Sequence, residues 1–165
     1  MRISTGGPKL DRRAAVGLST GRSVHPDRAL KEKIILGVSA EWHVARARSA
    51  VRQAMEGTAF SCVSAAYVVT AVSELATNLF FHAANGGTIT LSFDFCDGRS
   101  GITVVAEDDG PGIPDLELAL LDGFTTNGGL GGGLPGIRRL MDEFEIKSRP
   151  GAGTQVICRK WIPCR

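Results

Sequence analysis

The chain is poor in aromatics: Phe, Trp and Tyr together make 6% of its 165 residues, with two Trp and one Tyr. A core must therefore be built mainly from Val, Ile, Leu and Ala. The four cysteines, Cys62, Cys96, Cys158 and Cys164, show neither CxxC spacing nor regular periodicity, and the apolar neighbours of Cys62 and Cys96 suit small buried thiols. No secretory h-region stands at the N-terminus, so a reduced, cytoplasmic protein is expected. The longest apolar runs are short and broken by polar residues, and no membrane span is expected. At 43% hydrophobic and 22% charged, the composition is that of an ordinary globular domain, and the length suits one.

The net charge of +2 is unevenly placed. Residues 1–30 hold six basic and two acidic residues, which leaves the remainder with thirteen basic and fifteen acidic. A body of that sign argues against nucleic-acid binding, which needs a basic face. Residues 1–30, rich in Gly, Ser, Arg and Pro without an apolar period, read as a basic flexible tail, and 31–165 as one domain.

Within the domain, Lys33 to Val38 reads as a strand. Ser39 reads as the N-cap of a helix from Ala40 to Met55. A second helix is predicted from about Ser61 to Ala83, where Val68, Val72, Leu75 and Leu79 form an apolar stripe. Thr88–Phe95 and Ile102–Ala106 flank Asp97-Gly98 as a hairpin. A glycine-rich stretch follows from Asp108 to Gly133, then a helix near Leu134 and two strands, Phe144–Lys147 and Thr154–Trp161. Strands adjacent in pairs predict an α+β fold: a two-layer sandwich with a mixed, mostly antiparallel sheet and helices on one face.

Three clusters carry chemistry. Glu74 and Asn78 are four apart on the second helix, so they share a face. A carboxylate can take a proton there, and a neutral amide oxygen suits Mg²⁺. Taken alone, such a pair is more often a solvated helix face. Next, Asp108, Gly110 and Gly112 follow a strand, an arrangement that lets a flat ligand approach while the acid accepts a hydrogen bond, as from an adenine amino group. An ordinary Asp-Gly-Pro-Gly turn is the plainer reading. Last, Gly128 to Gly136 lead into a helix, offering backbone N–H groups to phosphates. No strand precedes these glycines and no acid follows about 20 residues on, which excludes a dinucleotide fingerprint; no Lys-Ser or Lys-Thr pair makes a P-loop.

Together these boxes resemble the GHKL (Bergerat-fold) ATP-binding family. Ser73-Glu74-Leu75-Ala76-Thr77-Asn78 looks like its N box, Asp108 to Ile113 its adenine-binding glycine box, Gly129 to Pro135 its phosphate-lid box, and Gly153-Thr154 the remaining box. The run Asp122 to Phe144 resembles more narrowly the RsbT-like serine/threonine switch kinases of bacterial stressosomes. The resemblance implies ATP and Mg²⁺ as cofactors, STAS-domain scaffold and antagonist proteins as phosphoryl acceptors, and a PP2C-type phosphatase as a further partner. It leaves the oligomeric state open, a homodimer included. It makes Glu74 the general base and Asn78 the Mg²⁺ ligand. Asp108, helped by Thr154, would accept from adenine, with Gly110 and Gly112 allowing ring approach. Gly129, Gly131, Gly132, Gly133 and Leu134 would lie at the phosphates. No Lys or Arg is assigned there; Arg138 and Arg139 read as surface residues, and His82 as an exposed or capping one.

Overall fold

A computed structural model describes residues 33–96, 98–121 and 132–162. The tail 1–30 and lid glycines Gly129 and Gly131 lie outside the described residues. In chain order the elements are β1 (Ile34–Val38), α1 (Glu41–Met55), α2 (Cys62–His82), β2 (Gly87–Cys96), β3 (Arg99–Asp108), α3 (Leu116–Ala119), α4 (Gly133–Leu140), β4 (Glu143–Ser148) and β5 (Thr154–Trp161). The strands form one sheet in the order β1-β2-β3-β5-β4, and every pairing is antiparallel. The sheet is thus more uniform than the mixed one expected. The reason is that β3, β5 and β4 join by pairing β5 between the other two.

Alternation fixes the core. Leu36 and Val38 on β1, Ile89 and Leu91 on β2, Ile102, Val104 and Ala106 on β3, and Val156 and Cys158 on β5 are all buried on one face. Across from them lies the α2 stripe of Val68, Val72, Leu75 and Leu79. Next to α2, α1 contributes Ala47, Val51 and Met55, and α4 contributes Leu134 and Ile137. The opposite face carries Ile35 and Glu107 in the open, with Gln155 half-buried beside Glu107.

Helix α2 begins as its sequence predicts, with Ser61 Oγ accepting from the Ser64 N–H at 3.1 Å. Helix α1 does not. Its N-cap is Ala40, and the side chain of His43 reaches back instead, Nδ1 accepting from the N–H groups of Ser39 and Ala40 at 3.1 Å each. A second departure is α3, one turn capped by Asp115, inside the stretch read as glycine-rich loop. By length and composition alone α2 is long and apolar enough to cross a membrane. Its apolar stripe is already spent on the sheet, which makes it a core helix.

Candidate functional site

The antiparallel register draws one row of residues across the end of the sheet. Val38 pairs with Gly87, Gly87 with Asp108, Asp108 with Thr154, and Thr154 with Ser148. Asp108, Thr154 and Ser148 share parity with Ala106, Val156 and Ile146, so all three side chains stand on the helix-covered face. Beyond Ala106 and Val156 the core gives way to this polar row.

The loop leaving β3 folds onto the β4–β5 turn. Gly151 N–H donates to the Pro111 carbonyl at 2.8 Å, Gly153 N–H to the Gly110 carbonyl at 3.0 Å, and Ile113 N–H to Ser148 Oγ at 2.8 Å. Two glycines make that fit. Gly112 has φ +70°, and a β-carbon on it would lie 2.1 Å from the Arg149 carbonyl oxygen. Gly153 has φ +77°, and its β-carbon would meet the Asp108 carbonyl oxygen at 2.0 Å. The close approach these glycines allow is therefore first of all that of the chain to itself.

Asp108 is pinned by the same loop: its Oδ1 accepts from Gly110 N–H at 2.8 Å. The other carboxylate oxygen has no protein partner among the described residues. A half-buried carboxylate with one oxygen anchored and one open is ready to accept a hydrogen bond from a ligand. Thr154 stands beside it across the strand pair.

Glu74 and Asn78 lie in successive turns of α2, flanking the buried Leu75 and Leu79. Both are half-buried, and among the described residues neither side chain has a hydrogen-bond or ion-pair partner. Burial pushes the Glu74 carboxyl above the usual glutamate value. The turns of the helix that follow this pair reach the end of the sheet where Asp108 stands. A β-carbon on Gly87 would be 2.7 Å from Leu79 Cδ2, and one on Gly110 3.0 Å from the Ala83 Cα. Asn78, next to Leu79, belongs to the helical segment that abuts the Asp108 loop.

At the far side, Gly132 precedes α4 with φ +78° and Gly133 is its first residue. Leu134 puts its side chain in the core, so only its backbone N–H is left for an anion at the helix N-terminus. Arg138 and Arg139 are exposed as read, yet Arg139 is aimed: its Nη2 lies 3.1 Å from where a Gly132 β-carbon would be. His82 is exposed at the end of α2. Ser148 escaped the sequence reading. About a turn at Pro150–Gly153 the residue opposite Thr154 would be Arg149, and only the observed register pairs Thr154 with Ser148.

These residues suit ATP and its metal. Open acceptors at Asp108 and Thr154 fit an amino-purine edge, and the unpartnered amide of Asn78 is a hard neutral donor of the kind Mg²⁺ takes. The family described as histidine kinase-like ATPase domain matches residues 38–160. Serine/threonine-protein kinase RsbT of Bacillus subtilis (strain 168) is 40% identical over 133 residues, 81% of this chain and 99% of that protein. The anti-sigma F factor of Caldanaerobacter subterraneus subsp. tengcongensis is 39% identical over 100 residues, 58% of this chain and 68% of its own. In fold, the chain resembles the RsbU and RsbW domains of Rv1364c from Mycobacterium tuberculosis, with a TM-score of 0.55 at 18% identity over 81% of this chain and 34% of that one. The chain belongs to the histidine kinase-like ATPase (GHKL) family and, within it, to the RsbT-like serine/threonine-protein kinases.

Proposed function

We propose that this protein transfers the γ-phosphoryl group of Mg²⁺-bound ATP to a Ser or Thr of a STAS-domain partner in a cytoplasmic partner-switching module. Released from that partner, it engages a PP2C-type phosphatase. The observation that carries the reading is the pair on α2: a half-buried glutamate with a raised pKa and, one turn on, an asparagine amide, both without a partner among the described residues. A structural glutamate in that position would be expected to find a cation; one held unpaired and desolvated is a better base.

ATP supplies the phosphoryl group, and Mg²⁺ offsets charge on its phosphates. The chain's own work is positioning and proton acceptance, which is most of what phosphoryl transfer requires. Asp108 accepts from the purine amino group while Gly110 N–H holds the carboxylate in place. Asn78 offers its amide oxygen to the metal. Glu74 takes the hydroxyl proton of the acceptor. The start of α4, with Gly132 and Gly133, offers backbone N–H groups to the phosphates; Gly129 and Gly131 belong to the same box in the sequence.

Purified protein, labelled ATP and a STAS-domain protein test the reading together. Label is expected on a Ser or Thr of the partner, and Glu74→Ala is expected to lower transfer by about 10²–10⁴-fold while nucleotide still binds. Unchanged transfer in that variant removes Glu74 from the role. The similarity to an anti-sigma F factor favours one second reading, a kinase that holds a sigma factor. Co-purification with a sigma factor in place of a phosphatase would select it.

A further inference from the structure

Ser148 sits at the end of β4, on neither of the loops that carry the nucleotide boxes, yet its hydroxyl touches three groups that build them. It lies 2.8 Å from Ile113 N, 3.0 Å from the Gly153 carbonyl oxygen and 2.9 Å from Thr154 Oγ1. A serine hydroxyl has one proton and two lone pairs. An N–H can only donate, so Ile113 takes one lone pair. A carbonyl can only accept, so Gly153 takes the proton. What remains toward Thr154 is a lone pair, so all three contacts are hydrogen bonds at once only with the Thr154 hydroxyl as donor in the third. Its single proton is thereby used inside the protein, and Thr154 meets a ligand, or a bridging water, as an acceptor only.

We propose that Ser148 is a positioning residue that sets nucleobase selectivity by fixing the direction of the Thr154 hydroxyl. The proposal rests on the reading of the Asp108–Thr154 row as the adenine seat. With Thr154 locked, that row presents two acceptors side by side, the open Asp108 oxygen and Thr154 Oγ1. A purine with an amino group at position 6 offers protons to it. A 6-oxo purine brings a third acceptor and is turned away. Without Ser148 the Thr154 proton is released and can be given to the oxo group.

Calorimetric affinities for ATP and ITP, measured on wild type, Ser148→Ala, Thr154→Val and the double variant, test this. Wild type is expected to prefer ATP, and Ser148→Ala to narrow the ATP-to-ITP ratio by roughly three- to tenfold, the scale of one hydrogen bond gained and lost. Because the effect runs through Thr154, adding Ser148→Ala to Thr154→Val leaves the ratio unchanged. Ser148→Thr, which keeps a hydroxyl, retains the wild-type preference. Should Ser148→Ala fail to fold, Ser148→Cys removes the strong acceptor at similar size and carries the same expectation. Equal losses for both nucleotides, or a narrowed ratio that persists without the Thr154 hydroxyl, make Ser148 a mere tether and overturn the proposal. Failure of wild type to bind ATP overturns the adenine seat itself and this proposal with it. Binding of ATP with an unaltered ratio overturns the proposal alone.

Discussion

The carbonyl oxygen of Asp108 occupies the space a side chain on Gly153 would need, 2.0 Å from the ideal β-carbon position. The turn before β5 is thereby seated against the last residue of β3, and the carboxylate of Asp108 inherits its position from that contact. Gly153→Ala must relieve a backbone clash and a φ of +77° at once. A loss of about 1–3 kcal/mol is expected from the φ alone, read as a lower urea midpoint at unchanged slope. Nucleotide affinity should fall with it, since any retreat of the turn displaces Asp108.

Glu74 makes stability depend on pH in a direction opposite to a salt-bridged acid. Its carboxyl is raised in the folded state by burial, so the folded protein holds the proton longer than the unfolded chain does. The favourable contribution of the protonated form is complete below the ordinary glutamate value and is lost as pH rises through the raised one. Glu74→Gln is therefore expected to raise the melting temperature at pH 7, with the gain vanishing toward pH 4. The same shift places the acid limb of the wild-type transfer rate above the ordinary glutamate range, and Glu74→Gln should show no such limb.

Asn78 is expected to matter only when metal is present. Without Mg²⁺, wild type and Asn78→Ala should bind nucleotide with similar affinity. With Mg²⁺, wild type should tighten and the variant should not. Because the amide has no protein partner among the described residues, the melting temperature of the unliganded variant should move little. A large drop in melting temperature would mark Asn78 as structural.

Cysteine reactivity follows burial. Cys62 and Cys96 are exposed, against the burial their apolar neighbours suggest, because they stand at the first residue of α2 and the last of β2, whereas Cys158 lies in the core and burial pushes its thiol up to about 12. Peptide mapping after brief alkylation of native protein at pH 8 should find Cys62 and Cys96 modified and Cys158 untouched until denaturant is added.

Much of this was legible in the chain because local rules sufficed. Ser61 followed by an apolar stripe delimits α2, and Asp97-Gly98 between alternating segments fixes the β2–β3 hairpin. The α1 cap was misread because the helix starts on Ala40, one residue after Ser39, with His43 reaching back to the N–H groups of both, which nothing local reveals. The short helix α3 was missed because one turn has no period to detect. Glu74, Asn78, Asp108 and Thr154 were found as isolated boxes, but the row that joins Asp108, Thr154 and Ser148 is a property of strand register, and β3 and β5 are separated by two helices and a strand. Helix α2 is apolar because one side of it, Val68, Val72, Leu75 and Leu79, packs on the sheet, and composition alone does not tell that from a membrane span.

The seat of the purine is the point on which the other roles depend, and Asp108→Asn titrated with ATP in magnesium buffer tests it most directly. The substitution keeps the shape and an oxygen for Gly110 N–H, so the variant should fold as wild type does. Wild type should show a clear binding isotherm and Asp108→Asn an affinity at least about tenfold weaker, the scale of a hydrogen bond to a charged acceptor. Equal affinities for the two proteins, or no heat of binding on folded wild type, would contradict it.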